Sequence, residues 1–151
     1  MASPDPLVQL IDEVFSAHGF VRRKKSWYLK GAEATVFVEL QPSQWKQGYY
    51  LNLASEIRQL GSHEWPKDLD AHIRTRLGAL AGTDIDSLLD KGHALDDASG
   101  DRSNLRNLLE DVAIPALLTW TTISGVREAL QQGGLRNALV DKRVKELVAR
   151  P

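Results

Sequence analysis

Residues 34–58, ATVFVELQPSQWKQGYYLNLASEIR, alternate apolar and polar side chains through two runs, and that alternation limits the fold more than any other feature of the chain. Val36, Val38 and Leu40 interleave with Thr35, Phe37, Glu39 and Gln41. Leu51, Leu53 and Ile57 interleave with Tyr50, Asn52, Ala54 and Glu56. A two-residue period puts one set of side chains on each face of a strand, so each run predicts a strand with one face on a core. Between them, Pro42 to Gly48 holds turn-forming residues at both ends, which predicts an antiparallel pair joined by an exposed loop.

The rest of the chain must cover the apolar face. At 151 residues it is sized for one domain spanning 1–151, and a domain of this size buries roughly 70% of its unfolded surface. Cysteine is absent, which removes disulfides, thiol nucleophiles and cysteine metal sites. With 19 basic and 20 acidic side chains the net charge is -1, which counts against the broad positive field of sequence-independent nucleic-acid binding. No basic start leads into an apolar run, and no stretch approaches the ~20 apolar residues of a membrane span. The expected location is the cytoplasm.

Asp5-Pro6 predicts a helix N-cap with proline in the first turn, and Leu7, Leu10, Ile11, Val14 and Phe15 follow at helical spacing until Gly19. Phe20 to Lys24 and Ser26 to Lys30 predict two short strands around a basic turn. Arg22, Arg23, Lys24 and Lys25 are read as a solvated edge, with an acidic or phosphate-bearing partner as the alternative. The expected fold is therefore α+β: an N-terminal helix, a four-stranded antiparallel meander and a helical C-terminal half packed on the sheet. Residues 1–80 carry the first helix, the sheet and the first following helix. That later helix opens at Trp65-Pro66, turns Leu69, Ile73, Leu77 and Leu80 inward, and stops at Gly82.

Beyond it, Asp84 to Asp90 carries a short helical signal, and residues 91–102 read as a polar loop. Leu105, Leu108, Leu109, Val112, Ala116 and Leu117 form a stripe capped by Ser103 or Asn104. Pro115 predicts a kink near Asp111 or a junction of two helices there. Ser124 is the expected cap of another helix, stopped by Gly133-Gly134. Leu135, Leu139, Val140, Val144, Leu147 and Val148 then make a final amphipathic helix with a basic, solvated outer face.

On the sheet, Trp27 and Leu29 are expected to share the inner face with Val36, Val38, Leu40, Leu51 and Leu53. Tyr28, Phe37 and Tyr50 then line up on the other face among Glu39, Gln41, Asn52, Glu56 and Arg58. Such a row is either cross-strand packing under a later element or a partner-binding surface. Gln41 and Asn52 bond one another or the loop, or else present amides to a ligand. Trp45, flanked by Gln44 and Lys46, is either folded over the sheet end or an exposed anchor.

No catalytic, cofactor or metal constellation emerges. An EF-hand loop starting at Asp84 lacks its glycine and its terminal glutamate, and Asp96, Asp97 and Asp101 read as turn residues. His18 reads as a helix-end histidine, and His63, His72 and His93 show no ligand spacing.

Gly19-Phe20, Trp27-Tyr28, Gln41-Pro42-Ser43 and Tyr50-Leu51-Asn52-Leu53, in that order, resemble the signature of the bacterial domain-of-unknown-function family 4304 over roughly residues 1 to 80. Pro42 departs from the basic residue common there. The resemblance implies a stand-alone α+β protein with no established enzymatic activity, and it marks Gly19, Phe20, Gln41, Ser43 and Asn52 as structural signature residues. Some small α+β proteins of this kind act as immunity or antitoxin partners of bacterial toxins, an analogy at fold level. The expected function is non-enzymatic binding of another protein, in its sharpest form a toxin, through Gln44, Trp45, Lys46, Tyr28, Phe37 and Tyr50. A small hydrolase or nuclease using the histidines with nearby aspartates is the alternative, and a nucleic-acid module using Arg22 to Lys25 and Lys30 is a further one.

Overall fold

The computed structural model describes residues 5–42, 48–82, 89 and 100–149. Helix α1, Pro6–Ala17, begins where Asp5 accepts the Leu7 N–H at 2.9 Å, with Pro6 in the first turn where a missing N–H costs nothing. Its buried stripe is the predicted one, Leu7, Leu10, Ile11, Val14 and Phe15. Gly19, at φ +87°, reverses the chain into the sheet.

The strands are β1 (Val21–Arg23), β2 (Ser26–Lys30), β3 (Ala34–Pro42), β4 (Tyr49–Ile57), β5 (Ile73–Arg76) and β6 (Leu139–Val140). They form one sheet in sequence order, each antiparallel to the next. The α+β architecture is thus the expected one, but the meander has six strands rather than four. The extra pair corrects two helix assignments. The segment expected to be helical from Trp65 instead makes a single 3-10 turn at Asp68–Asp70, then β5, then a short helix α2, Leu77–Ala81. Gly82, at φ +70°, closes α2 as predicted. Leu139 and Val140 pair with Arg74 and Ile73 instead of starting the last helix. Both corrections have one kind of cause, an open strand edge that must find backbone partners: β5 pairs with the edge of β4 and β6 with the edge of β5. β-branched Ile73, Thr75 and Val140 fit that demand better than an amphipathic stripe does.

Three further helices follow. α3, Asp101–Leu108, runs through a π turn at Leu109–Ala113 into α4, Ile114–Thr119. The π turn sits where Pro115 cannot donate to residue 111, the kink expected near Asp111. α3 starts after Gly100, not at Ser103 or Asn104. α5, Ile123–Gln131, is capped by Thr122, which accepts from Gly125, rather than by Ser124. α6, Lys142–Ala149, begins at Asp141, whose carboxylate accepts the Arg143 N–H at 2.8 Å.

One apolar cluster joins α1 and the C-terminal helices to a single face of the sheet, through Trp27, Val36, Val38, Leu40, Leu51, Leu53, Ile57 and Ile73. Trp27 lies at its centre, fully buried, with its indole N–H donating to Asp12 at 2.9 Å. Asp84, Asp86, Asp96, Asp97 and His93 lie outside the described residues. No helix among the described residues is long and apolar enough to cross a membrane.

Candidate functional site on the outer face of the sheet

Side chains two apart along a strand share a face, so the strand pairing dictates what the outer face carries. Val21, Tyr28, Phe37, Ala54, Arg74 and Leu139 form one transverse row across all six strands. Arg23, Ser26, Glu39, Asn52 and Arg76 form the next. Gln41 opposite Tyr50 forms the third. The face is apolar at the two ends of the first row and polar over the second and third.

Tyr28 and Phe37 pair as expected, stacked at 5.3 Å, but they are buried rather than presented to a partner. Trp65 meets Tyr28 edge-on at 5.3 Å, and Tyr28 donates its hydroxyl to the Pro66 carbonyl at 2.9 Å. With Ala54 and Ala71 they make a second small core, and burial pushes the Tyr28 phenol up from its ordinary value. Tyr50 is not in this row. It pairs with Gln41, four positions along β4 from the Phe37 partner Ala54, and carries the Arg76 guanidinium 3.8 Å from its ring centre.

Asn52 donates to Gln41 at 2.8 Å, so these two signature amides bond one another and stiffen the polar floor. Glu39 beside them is half-buried. Burial, then the nearby Asp68, push its carboxyl above the usual range, against a hydrogen bond from Asn52. Asp68, on the 3-10 turn, is paired with Arg74 at 2.9 Å. Two clefts open over this floor. One of about 480 Å³ lies along β5 and includes Asn52, Arg74, Arg76 and Leu139. The other, of about 580 Å³, lies toward β2 and includes Arg23, Lys67, Trp65 and Leu69. Gly19 and Phe20 stand apart, at the α1–β1 turn, where the Phe20 ring packs edge-on against Phe15 at 5.0 Å. Ser43, Gln44, Trp45 and Lys46 lie outside the described residues.

A second group of titratable side chains sits at the far end of β4. The Glu56 carboxylate is 1% exposed and accepts two bonds from one residue, the His63 N–H at 2.8 Å and His63 Nδ1 at 2.6 Å. That holds the imidazole with its proton on Nδ1 and Nε2 turned toward Asp70, 3.7 Å away. The hydrogen bond from Glu56, then its charge and that of Asp70, raise the His63 pKa. His72 does the opposite. It is buried, accepts the Ile57 N–H at Nδ1, and is held low by desolvation and by Arg143. Among the described residues no three His, Asp or Glu side chains converge as metal ligands.

The family described as "Domain of unknown function (DUF4304)" matches residues 11–118. The chain belongs to this family. The match takes in the sheet through β5 and most of α4, well beyond the end at residue 80 that the short motifs mark. A search of the curated proteins and a search of the solved structures returned no match. The family thus covers most of the outer face, leaving out Leu139. Arg74, Arg76 and Asp68 were not among the residues that sequence reasoning selected. The signal for them was the alternation of Arg74 and Arg76 with β-branched Ile73 and Thr75, masked by the leucine spacing of the same stretch.

Proposed function

We propose that this protein is a non-enzymatic cytoplasmic binding protein that docks another protein on the outer face of its sheet, in its sharpest form masking a toxin as an immunity protein does. One observation carries the reading. Four large apolar side chains are exposed among the described residues, and three of them, Val21 at 54%, Leu69 at 88% and Leu139 at 65%, ring this face. Covering each stabilises a complex by roughly 1.5–3 kcal/mol, while the amides and arginines between them supply directional bonds. Tyr50 lies at the Gln41 end of the face, and Gln44, Trp45 and Lys46, which follow β3 in the sequence, are proposed as further partner contacts. Tyr28 and Phe37 serve it from beneath, as its support.

The test compares capture of a partner from the native lysate by the wild-type chain and by a Leu69→Asp, Leu139→Asp variant of unchanged fold. A partner held by the first and lost by the second is the expected result, and equal retention refutes the assignment. The hydrolase alternative draws support from the Glu56–His63 pair, in which a buried carboxylate orients an exposed imidazole as in a general base. A hydrolytic activity lost in His63→Ala would favour it.

A further inference from the structure

The two ends of the outer face differ in charge balance, and the difference bears on what docks there. Toward β5, Arg74 is matched by Asp68 and Arg76 lies on Tyr50. Toward β1 and β2, among the described residues, no cation has a carboxylate partner as Arg74 does. Arg23 lies 4.5 Å and Lys30 5.0 Å from the centre of the Trp65 ring, held by the aromatic face rather than by a carboxylate. Lys24 and Lys67 line the same cleft of about 580 Å³ as Arg23. Among the described residues, none of Arg23, Lys24, Lys30 and Lys67 forms an ion pair. In a chain of net charge -1, the three cations Arg23, Lys24 and Lys67 outnumber the two carboxylates, Glu39 and Asp68, that line the same cleft. Lys30 adds a further cation at the Trp65 ring, so this end of the face carries a local positive excess.

We propose that this end of the face receives an acidic segment of the partner protein, an inference that rests on the docking reading above. The chemistry of the cleft selects a peptide over a phosphate chain. Glu39 and Asp68 line the same cleft as the cations, and their carboxylates oppose a continuous polyanion. A peptide presents discrete carboxylates to the cations and backbone N–H groups that Glu39 can accept. Leu69, 88% exposed at the lip of the cleft, adds an apolar contact that a peptide side chain fills and a phosphodiester does not. The basic run from Arg22 to Lys25 thereby acquires a role beyond edge protection, since Arg23 and Lys24 are the part of it that faces the cleft.

The experiment selects binders to the full chain from a random peptide library, then measures them against the wild type, an Arg23→Glu, Lys67→Glu variant and the Leu69→Asp, Leu139→Asp variant. Enriched peptides are expected to carry an excess of Asp and Glu beside an apolar residue. Charge reversal should weaken them on the order of tenfold or more, and wild-type binding should weaken as salt rises, a readout that does not depend on the variant's fold. Peptides without acidic excess, or acidic peptides indifferent to both charge reversal and salt, overturn the inference and leave the docking reading standing. A single-stranded oligonucleotide that binds more tightly than any selected peptide and is lost on charge reversal also overturns it. Failure of the docking reading is read separately, as a lysate partner retained by Leu69→Asp, Leu139→Asp.

Discussion

The two faces of the same strands are built to different rules. On the inner face, Trp27, Val38 and Leu53 meet side by side and are fully buried under the helices. On the outer face Tyr28, Phe37 and Ala54 are buried together beneath Trp65 and Ala71, and the other buried side chains there, Thr35, Asn52 and Glu56, are polar. The neighbours of Tyr28, Phe37 and Ala54 toward the β3–β4 loop are a carboxylate, two amides and two arginines with clefts above them. An antiparallel sheet is stable with one face on the core and the other solvated, so what distinguishes the outer face is not its exposure but the large apolar side chains, Val21, Leu69 and Leu139, left exposed around it. On the proposed reading the inner face supplies stability and the outer one recognition, and substitutions on each should separate the two.

Trp27→Ala should give the largest loss of stability, about 3–5 kcal/mol, because it opens a large cavity and strands Asp12. Urea denaturation measures it, and a cost under about 1 kcal/mol would erase the contrast. Asp141→Ala removes the cap of α6 and should cost about 1 kcal/mol. Bonds from Arg143 hold the Asp141 carboxyl down at about 2. The stability this carboxylate contributes is therefore present above its ordinary value of 3.8 and is lost as pH falls toward about 2, which acid unfolding of the wild type and the variant would reveal. Arg76→Ala, on the outer face, should cost less than about 1 kcal/mol, since the stacked cation is exposed. Leu69→Asp should change stability by no more than about 0.5 kcal/mol and still weaken partner capture.

The smallest effect is best read as a titration. Because His63 is raised by Glu56, its NMR midpoint should lie above 6.5 and fall back in Glu56→Gln. The sign follows: the contact's contribution to stability is full below 6.5 and disappears as pH rises through the higher folded value. A His63 midpoint that does not move in Glu56→Gln would contradict the geometry.

The inner face was legible in the sequence because alternation is the direct imprint of a half-buried strand. Trp27, Leu29, Val36, Val38, Leu40, Leu51 and Leu53 were all assigned to the face they occupy. β5 and β6 were not legible. Strands of four and two residues are too short to show a period, and Leu69, Ile73, Leu77 and Leu80 mimic a helical stripe although Leu69 ends up exposed and Ile73 in the sheet. That error hid part of the candidate site, because Asp68, Arg74 and Arg76 all lie in the misread stretch. The Gln41–Asn52 bond was one of the alternatives read from adjacent strands, whereas the link from Glu56 to His63 follows a loop path that no spacing rule encodes.

The most direct test of the division between faces uses two of the four large apolar side chains exposed among the described residues. A photoreactive residue is placed at Leu69 on the outer face in one protein and at Leu118 on α4 in another, and each is irradiated in the native lysate. The account predicts a covalent adduct with a partner protein from position 69 and none from position 118. An adduct from position 118 alone would contradict it and move recognition to the helical side of the molecule.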